Sequence, residues 1–120
     1  MSAAGPVTVL RSALYMPSSN ARALEKARTI GADAIIFDLE DAVAPDAKEL
    51  ARMQACAAAS SGNYPGRVLT IRCNGLDTPW GEDDLRAAGA AGPDAVVVPK
   101  VSGVGHLARV AALLPPGTSI

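Results

Sequence analysis

The chain has 120 residues, of which 49% are apolar and only 3% aromatic, and its formal net charge is −1 at pH 7. That length suits one domain or part of one, and an apolar fraction dominated by Ala, Val, Leu and Ile fits helices packed on a parallel sheet better than an antiparallel sandwich. Scattered lysines and arginines leave no basic footprint for nucleic acid or an anionic membrane, and no run approaches the ~18 apolar residues of a membrane span.

In chain order, Leu10 to Met16 reads as a strand, and Pro17-Ser18-Ser19-Asn20 as a turn and helix cap. A helix is expected over Ala21–Ile30, with Gly31 as its C-cap signal. Ala34–Phe37 is a continuous apolar run, the pattern of a strand buried on both faces. Asp46 and Glu49 resemble a capping box, and Leu50, Met53, Gln54 and Ala57 have the spacing of one helical face. After the loop Ser60–Gly66, a third strand is expected over Val68–Ile71, and a helix with an acidic start over Gly81–Ala91. Ala95–Val98 reads as a fourth buried strand. Leu107, Val110, Ala111 and Leu114 mark a fourth helix, stopped at Pro115-Pro116-Gly117. Cys56 and Cys73 read as free thiols of a reducing cytosol, and the N-terminus has no signal-peptide pattern.

Four β/α units follow from this order. A (β/α)₈ barrel of about 250 residues allots about 31 residues to each unit, so the chain corresponds to half a barrel. A small doubly wound domain is the alternative, but its first turn usually carries a glycine-rich phosphate loop. Here that turn reads Met16-Pro17-Ser18-Ser19-Asn20.

Every strand exit carries polar chemistry, and in parallel barrels the exits share the face that holds the active site. The second exit has Asp38, Glu40 and Asp41. Two residues apart on a strand, Asp38 and Glu40 point the same way, and such a cluster suits a divalent cation held directly or through its waters. Helix capping by Asp41 is the plainer alternative. Arg72 at the third exit, followed by Asn74, needs an anion. Its partner is either Asp38 or Glu40, or a substrate carboxylate held by the guanidinium fork. Lys100 at the fourth exit neutralises the acids, contacts a phosphate, or is simply solvated. His106, the lone histidine, reads as a surface residue, and Trp80 as a loop-packing one. A phosphatase of the haloacid dehalogenase type fits poorly, because Glu40 stands where its second aspartate belongs.

Four segments, in register, resemble one family. Arg11–Asn20 (RSALYMPSSN), Phe37–Val43 (FDLEDAV), Arg72–Gly75 with Asp77–Trp80, and Asp94–Val101 (DAVVVPKV) are similar to the strand-end signatures of the HpcH/HpaI aldolase and citrate lyase β-subunit family. The resemblance implies a TIM barrel and a Mg²⁺-dependent carbon–carbon lyase acting on acyl-CoA esters of the citryl-CoA or malyl-CoA type, releasing or using a 2-oxo acid and acetyl-CoA. It further implies a cytoplasmic enzyme that is a homo-oligomer when full length, with no nucleic-acid or membrane partner. By position, Arg72 would anchor the 2-oxo acid, and Glu40 and Asp41 would orient metal-bound water, making these three the catalytic set. Asp38 and Lys100 would join Arg72 in substrate binding, and the turn carrying Tyr15, Pro17 and Ser18 would lie along the CoA chain. The family's direct metal ligands, a Glu and an Asp on the fifth and sixth strands, are expected beyond Ile120. On that reading residues 1–120 are the N-terminal half of a barrel, marginally stable and inactive alone. A non-catalytic half-barrel that assembles with another chain is the rival.

Overall fold

The structure, a computed structural model, describes residues 13–99 and 103–114. The apolar runs form strands and the alanine-rich segments between them form helices: β1 (Ala13–Pro17), α1 (Ala21–Ala27), β2 (Ala34–Asp38), α2 (Lys48–Ser60), β3 (Val68–Arg72), α3 (Gly81–Ala91), β4 (Ala95–Val97) and α4 (Gly103–Ala112). A single 3₁₀ turn, Pro45–Ala47, leads into α2. The strands form one parallel sheet in the order β1-β2-β3-β4. A doubly wound sheet reverses its order at a switch point. The described strands instead add successively in one direction, as repeated β/α units do when they build toward a barrel.

Side chains alternate across the sheet. Met16, Ile35, Phe37, Ile71 and Val96 are buried in one cluster with Ala51, Ala55, Leu85, Ala88 and Val110 from the helices. Fully burying a side chain such as Phe37 is worth about 1.5–3 kcal/mol. Tyr64 completes this layer: its ring meets Phe37 edge-on at 5.5 Å and its hydroxyl donates to the Leu24 carbonyl at 2.7 Å. On the opposite face the register aligns Tyr15, Ile36, Thr70 and Ala95 in one row, and Pro17, Asp38, Arg72 and Val97 in the next. That face is open: Tyr15 is 57% and Val97 41% exposed.

Several local expectations are corrected. Helix α1 ends at Ala27, three residues early. The amides of Arg28 and Thr29 turn back to Glu25 and Lys26, and Arg67 takes the Ala27 and Arg28 carbonyls at 2.6 and 3.0 Å. With those carbonyls satisfied by a cation, Gly31 is no cap and keeps an ordinary φ. The left-handed cap is Gly92, with φ +73°, closing α3. No capping box forms at α2, because the Pro45–Ala47 turn satisfies the first donors through i→i+3 bonds and the Ala47 N-cap receives no side-chain bond. The apolar stripe of α2 is also displaced. Leu50 and Met53 are 48% and 70% exposed, whereas Lys48, Ala51 and Ala55 are buried. Alanines let this helix lie close to the sheet, and Lys48 and Arg52 turn inward to polar partners.

One contact fixes the β3–α3 connection. A side chain on Gly81 would overlap the carbonyl of Gly75 and the backbone of Leu76. Gly81→Ala is therefore expected to lower stability by about 1–3 kcal/mol, measured as a shift in denaturant midpoint at unchanged slope. Among the described residues no helix is long and apolar enough to cross a membrane.

Candidate active site

The four strand exits are pinned in one row. Ser18 N–H donates to the Asp38 carbonyl at 3.1 Å, Leu39 N–H to Arg72 at 2.9 Å, and Cys73 N–H to Val97 at 2.9 Å. Past this row the chain leaves the sheet, so the side chains there gather at one end of the open face.

Asp38 and Arg72 are direct partners in the β2–β3 register, and they form a bidentate pair. Arg72 Nε donates to Asp38 Oδ1 and Nη2 to Oδ2, both at 2.8 Å. The same carboxylate accepts from the Glu40 amide at 2.9 Å and the Ala42 amide at 3.1 Å. Its four bonds account for its burial, with 1% of the side chain exposed. Burial alone would push the Asp38 carboxyl up. The hydrogen bond from Arg72, the two backbone amides and the Arg72 charge outweigh it and hold the group below its usual range. Arg72 is correspondingly pushed up, chiefly by its bond to Asp38, with Glu40 and Asp41 adding to the field.

A guanidinium has five N–H donors. Asp38 takes two, and Nη1 has no hydrogen-bond partner among the described residues. Arg72 keeps 22% of its side chain exposed. The Tyr15 ring lies 5.3 Å from its central carbon, which restrains the plane of the fork. Glu40 Oε1 stands 3.8 Å from Arg72 Nε, beyond hydrogen-bond range. Asp41 is exposed. Tyr15, Asp38, Glu40 and Arg72 thus come together, with Asp41 at the rim. Pro17 is half-buried, and Ser18 is fully buried with its hydroxyl donating to the Met16 carbonyl at 3.5 Å. Lys100 lies outside the described residues, as do the side chains of His106 and Leu107. Cys56 and Cys73 are free thiols, and burial pushes Cys73 well above the ordinary thiol range.

A second polar layer, not expected from the sequence apart from Asn74, lies behind the first. Asp84 is fully buried. It accepts from Arg52 Nε at 2.8 Å, from the Asn74 amide at 3.0 Å and from Asn74 Nδ2 at 2.6 Å. Asn74 Nδ2 also reaches the Leu39 carbonyl at 2.9 Å. Lys48, 6% exposed, donates to the carbonyls of Leu39 at 3.1 Å and Glu40 at 2.7 Å, and sits 5.3 Å from the Trp80 ring. The one available signal was the spacing of Lys48, Ala51 and Ala55, a stripe that reads as polar because of its first member.

A parallel sheet grown from successive β/α units, with an acid–arginine cluster at its strand exits, defines an enzyme-type α/β architecture. The model of the HpcH/HpaI aldolase/citrate lyase family matches residues 11–116, and the chain belongs to that family. It is 52% identical over 105 residues to a (3S)-malyl-CoA thioesterase from Cereibacter sphaeroides, covering 88% of this chain and 37% of the relative. To the L-malyl-CoA/beta-methylmalyl-CoA lyase of Rhodobacter capsulatus it is 37% identical over 112 residues, covering 91% and 35%. The solved structure of protein CitE from Mycobacterium tuberculosis, in complex with magnesium, acetoacetate and coenzyme A, aligns with a TM-score of 0.67 at 26% identity, covering 86% of this chain and 37% of that one. The chain therefore spans little more than a third of the length of these relatives. Family members include CoA-ester lyases.

Magnesium, which the family implies, takes hard oxygen donors. Glu40 and Asp41 offer carboxylate oxygens that no hydrogen bond to a described residue occupies, whereas those of Asp38 are taken. Among the described residues no group of three or more His, Cys, Asp or Glu could hold a metal ion. The two open carboxylates are oxygen donors of the kind such an ion or its waters would take.

Proposed function

We propose that this chain forms the first four β/α units of a (β/α)₈ enzyme that cleaves the carbon–carbon bond of a citryl-CoA- or malyl-CoA-type ester, giving a 2-oxo acid and acetyl-CoA. The observation that carries the reading is Arg72: an arginine fixed from one side by a saturated aspartate, with no hydrogen-bond partner among the described residues on its other edge at the open end of the sheet. That edge has the geometry to grip a substrate carboxylate end-on while Asp38 keeps the rest of the fork. Cleavage requires the hydroxyl beside the breaking bond to lose its proton, and the electron pair to pass to the thioester enolate, which is then protonated to acetyl-CoA. Bound Mg²⁺ would supply Lewis-acid polarisation of the substrate oxygen. Glu40 and Asp41 would hold its waters, and direct ligands would come from strands beyond Ile120. The exposed Tyr15 restrains Arg72 and would line the approach of the CoA ester beside the Pro17–Ser18 turn. A cytoplasmic, homo-oligomeric full-length enzyme accompanies this reading.

The similarity to malyl-CoA thioesterases favours a second reading, in which water releases free CoA from the same ester. Incubating the full-length enzyme with malyl-CoA or citryl-CoA and Mg²⁺ separates the two. Acetyl-CoA with glyoxylate or oxaloacetate indicates lysis, and free CoA with malate or citrate indicates hydrolysis. Absence of both products would refute an enzyme of these esters. It would leave the alternative of a non-catalytic half-barrel whose open face assembles with another chain.

Glu40→Gln and Asp41→Asn are expected to raise the Mg²⁺ concentration for half-maximal activity by about 10–100-fold, as loss of groups behind metal ligands does. A Mg²⁺ titration of activity in both variants checks this, and parental curves in both would reduce these acids to a structural role.

A further inference from the structure

Lys48 is the least expected member of the polar layer. Its side chain is buried in the first turn of α2, and no carboxylate lies within ion-pair distance of it among the described residues. Two carbonyl oxygens and the Trp80 ring are its partners among the described residues. Burying a cation with so little compensation is costly. A methionine would fill the space as an apolar side chain with no such cost, so packing alone does not account for a lysine here.

The two carbonyls show what the ammonium does. The amide of Leu39 makes the last β2–β3 ladder bond, to Arg72. Immediately afterwards the chain leaves the sheet, and the carbonyls of Leu39 and Glu40 lose their sheet partners. Buried backbone groups need replacements. Leu39 has two, Lys48 Nζ and Asn74 Nδ2. Glu40 also has two, Lys48 Nζ at 2.7 Å and the Val43 amide at 3.1 Å, and of these only Lys48 ties the turn to α2. On its other side the Glu40 amide is held by Asp38 Oδ1 at 2.9 Å. The main chain of Glu40 is therefore clamped between the carboxylate that orients Arg72 and an ammonium from α2.

We propose that Lys48 is a positioning residue: by clamping the Glu40 carbonyl it fixes the β2-exit turn that presents Glu40 and Asp41 beside Arg72. This rests on the proposed enzymatic reading for its consequence, but the clamp itself concerns only this chain's residues. Trp80 and Asn74 tie the clamp to the β3–α3 connection, so the second and third strand exits hold a common geometry. Removing the ammonium leaves the Glu40 carbonyl only the Val43 amide of its own turn, while Leu39 retains Asn74, so the turn loses its tie to α2 and the effect is confined to it.

The test compares Lys48→Met with the parent full-length protein by amide hydrogen exchange and by Mg²⁺ titration of activity. Exchange at the Glu40 and Ala42 amides, both donors to Asp38, should rise about 10-fold or more, while core amides such as Ile71 stay as protected as in the parent. Half-saturation by Mg²⁺ should rise about 10-fold, with KM for the CoA ester unchanged. Lys48→Arg, which keeps a cationic donor, should restore much of both. Unchanged exchange at Glu40 and Ala42, or a loss of protection shared equally by Ile71, would overturn the proposal. If Lys48→Met does not fold, Lys48→Arg decides: parental protection in the turn supports the clamp, and an unprotected turn in a folded Lys48→Arg protein refutes it. A parent enzyme inactive on CoA esters would defeat the functional reading alone, because the exchange measurement needs no turnover.

Discussion

Asp38→Asn is expected to destabilise the protein by about 3 kcal/mol, at the lower end of the range for breaking a buried ion pair. The discount reflects Arg72, which retains 22% exposure and keeps some contact with water. The isosteric amide fails for a geometric reason. Asp38 accepts four hydrogen bonds, two on each oxygen. In asparagine one oxygen becomes an NH₂ group, which then faces two donors whichever way the amide is turned. Either Arg72 and Ala42, or Arg72 and Glu40, lose their acceptor. Denaturant unfolding at pH 7 measures the loss, and a change below about 1 kcal/mol would show that water replaces the carboxylate easily.

The same pair sets a pH dependence. Asp38 has a folded-state pKa lowered from an ordinary value of 3.8, so the unfolded chain binds its proton more readily than the native state does. Its contribution to stability is therefore fully present above about pH 4 and is lost as pH falls from there through the depressed native pKa. Above that window the contribution is flat, because Arg72 stays charged throughout. Asp38→Asn should flatten the acid limb of the stability profile of the parent, a difference visible as pH falls below about 4.

Arg72→Lys carries the second large effect, and it falls on substrate. One arginine is asked to satisfy Asp38 with Nε and Nη2 while its remaining donors face the open end of the sheet. Lysine has one nitrogen and no fork. If it reaches Asp38, it abandons the substrate carboxylate, and if it turns outward, it leaves Asp38 buried and unpaired. Loss of a charged donor aimed at the reacting groups typically costs about 10²–10³-fold in turnover. In the full-length enzyme a comparable fall in kcat/KM is expected, together with weaker binding of glyoxylate or oxaloacetate. An unchanged Kd for both 2-oxo acids would remove Arg72 from substrate binding.

How much of this was legible in the chain depended on the range of the interactions. The four strands and the alternation with helices could be read from apolar runs such as Ala34–Phe37 and from the turn residues between them, because buried strands and helix stops leave local signatures. The exits were legible for the same reason, since a carboxylate or guanidinium directly after a buried run has few plain explanations. The resemblance of four short segments then pointed to the family that the model match shows over residues 11–116.

Register and helix rotation were beyond local signals. Asp38 and Glu40 stood as equal partners for Arg72 until the sheet paired Asp38 opposite it in β3. Leu50 and Met53 outscored Lys48 and Arg52 as core candidates on hydrophobicity, yet the helix turned the charged pair inward. Periodicity records which residues share a face but not which face the fold selects. That selection came from carbonyls left without sheet partners at Leu39 and Glu40, and from the buried carboxylate of Asp84 32 residues beyond Arg52. The chain by itself therefore determined the elements, their order and the family. The tertiary structure decided which acid holds the arginine, which face of α2 is buried and what clamps the strand exit, because those outcomes depend on polar groups distant in sequence that meet only once the sheet has formed.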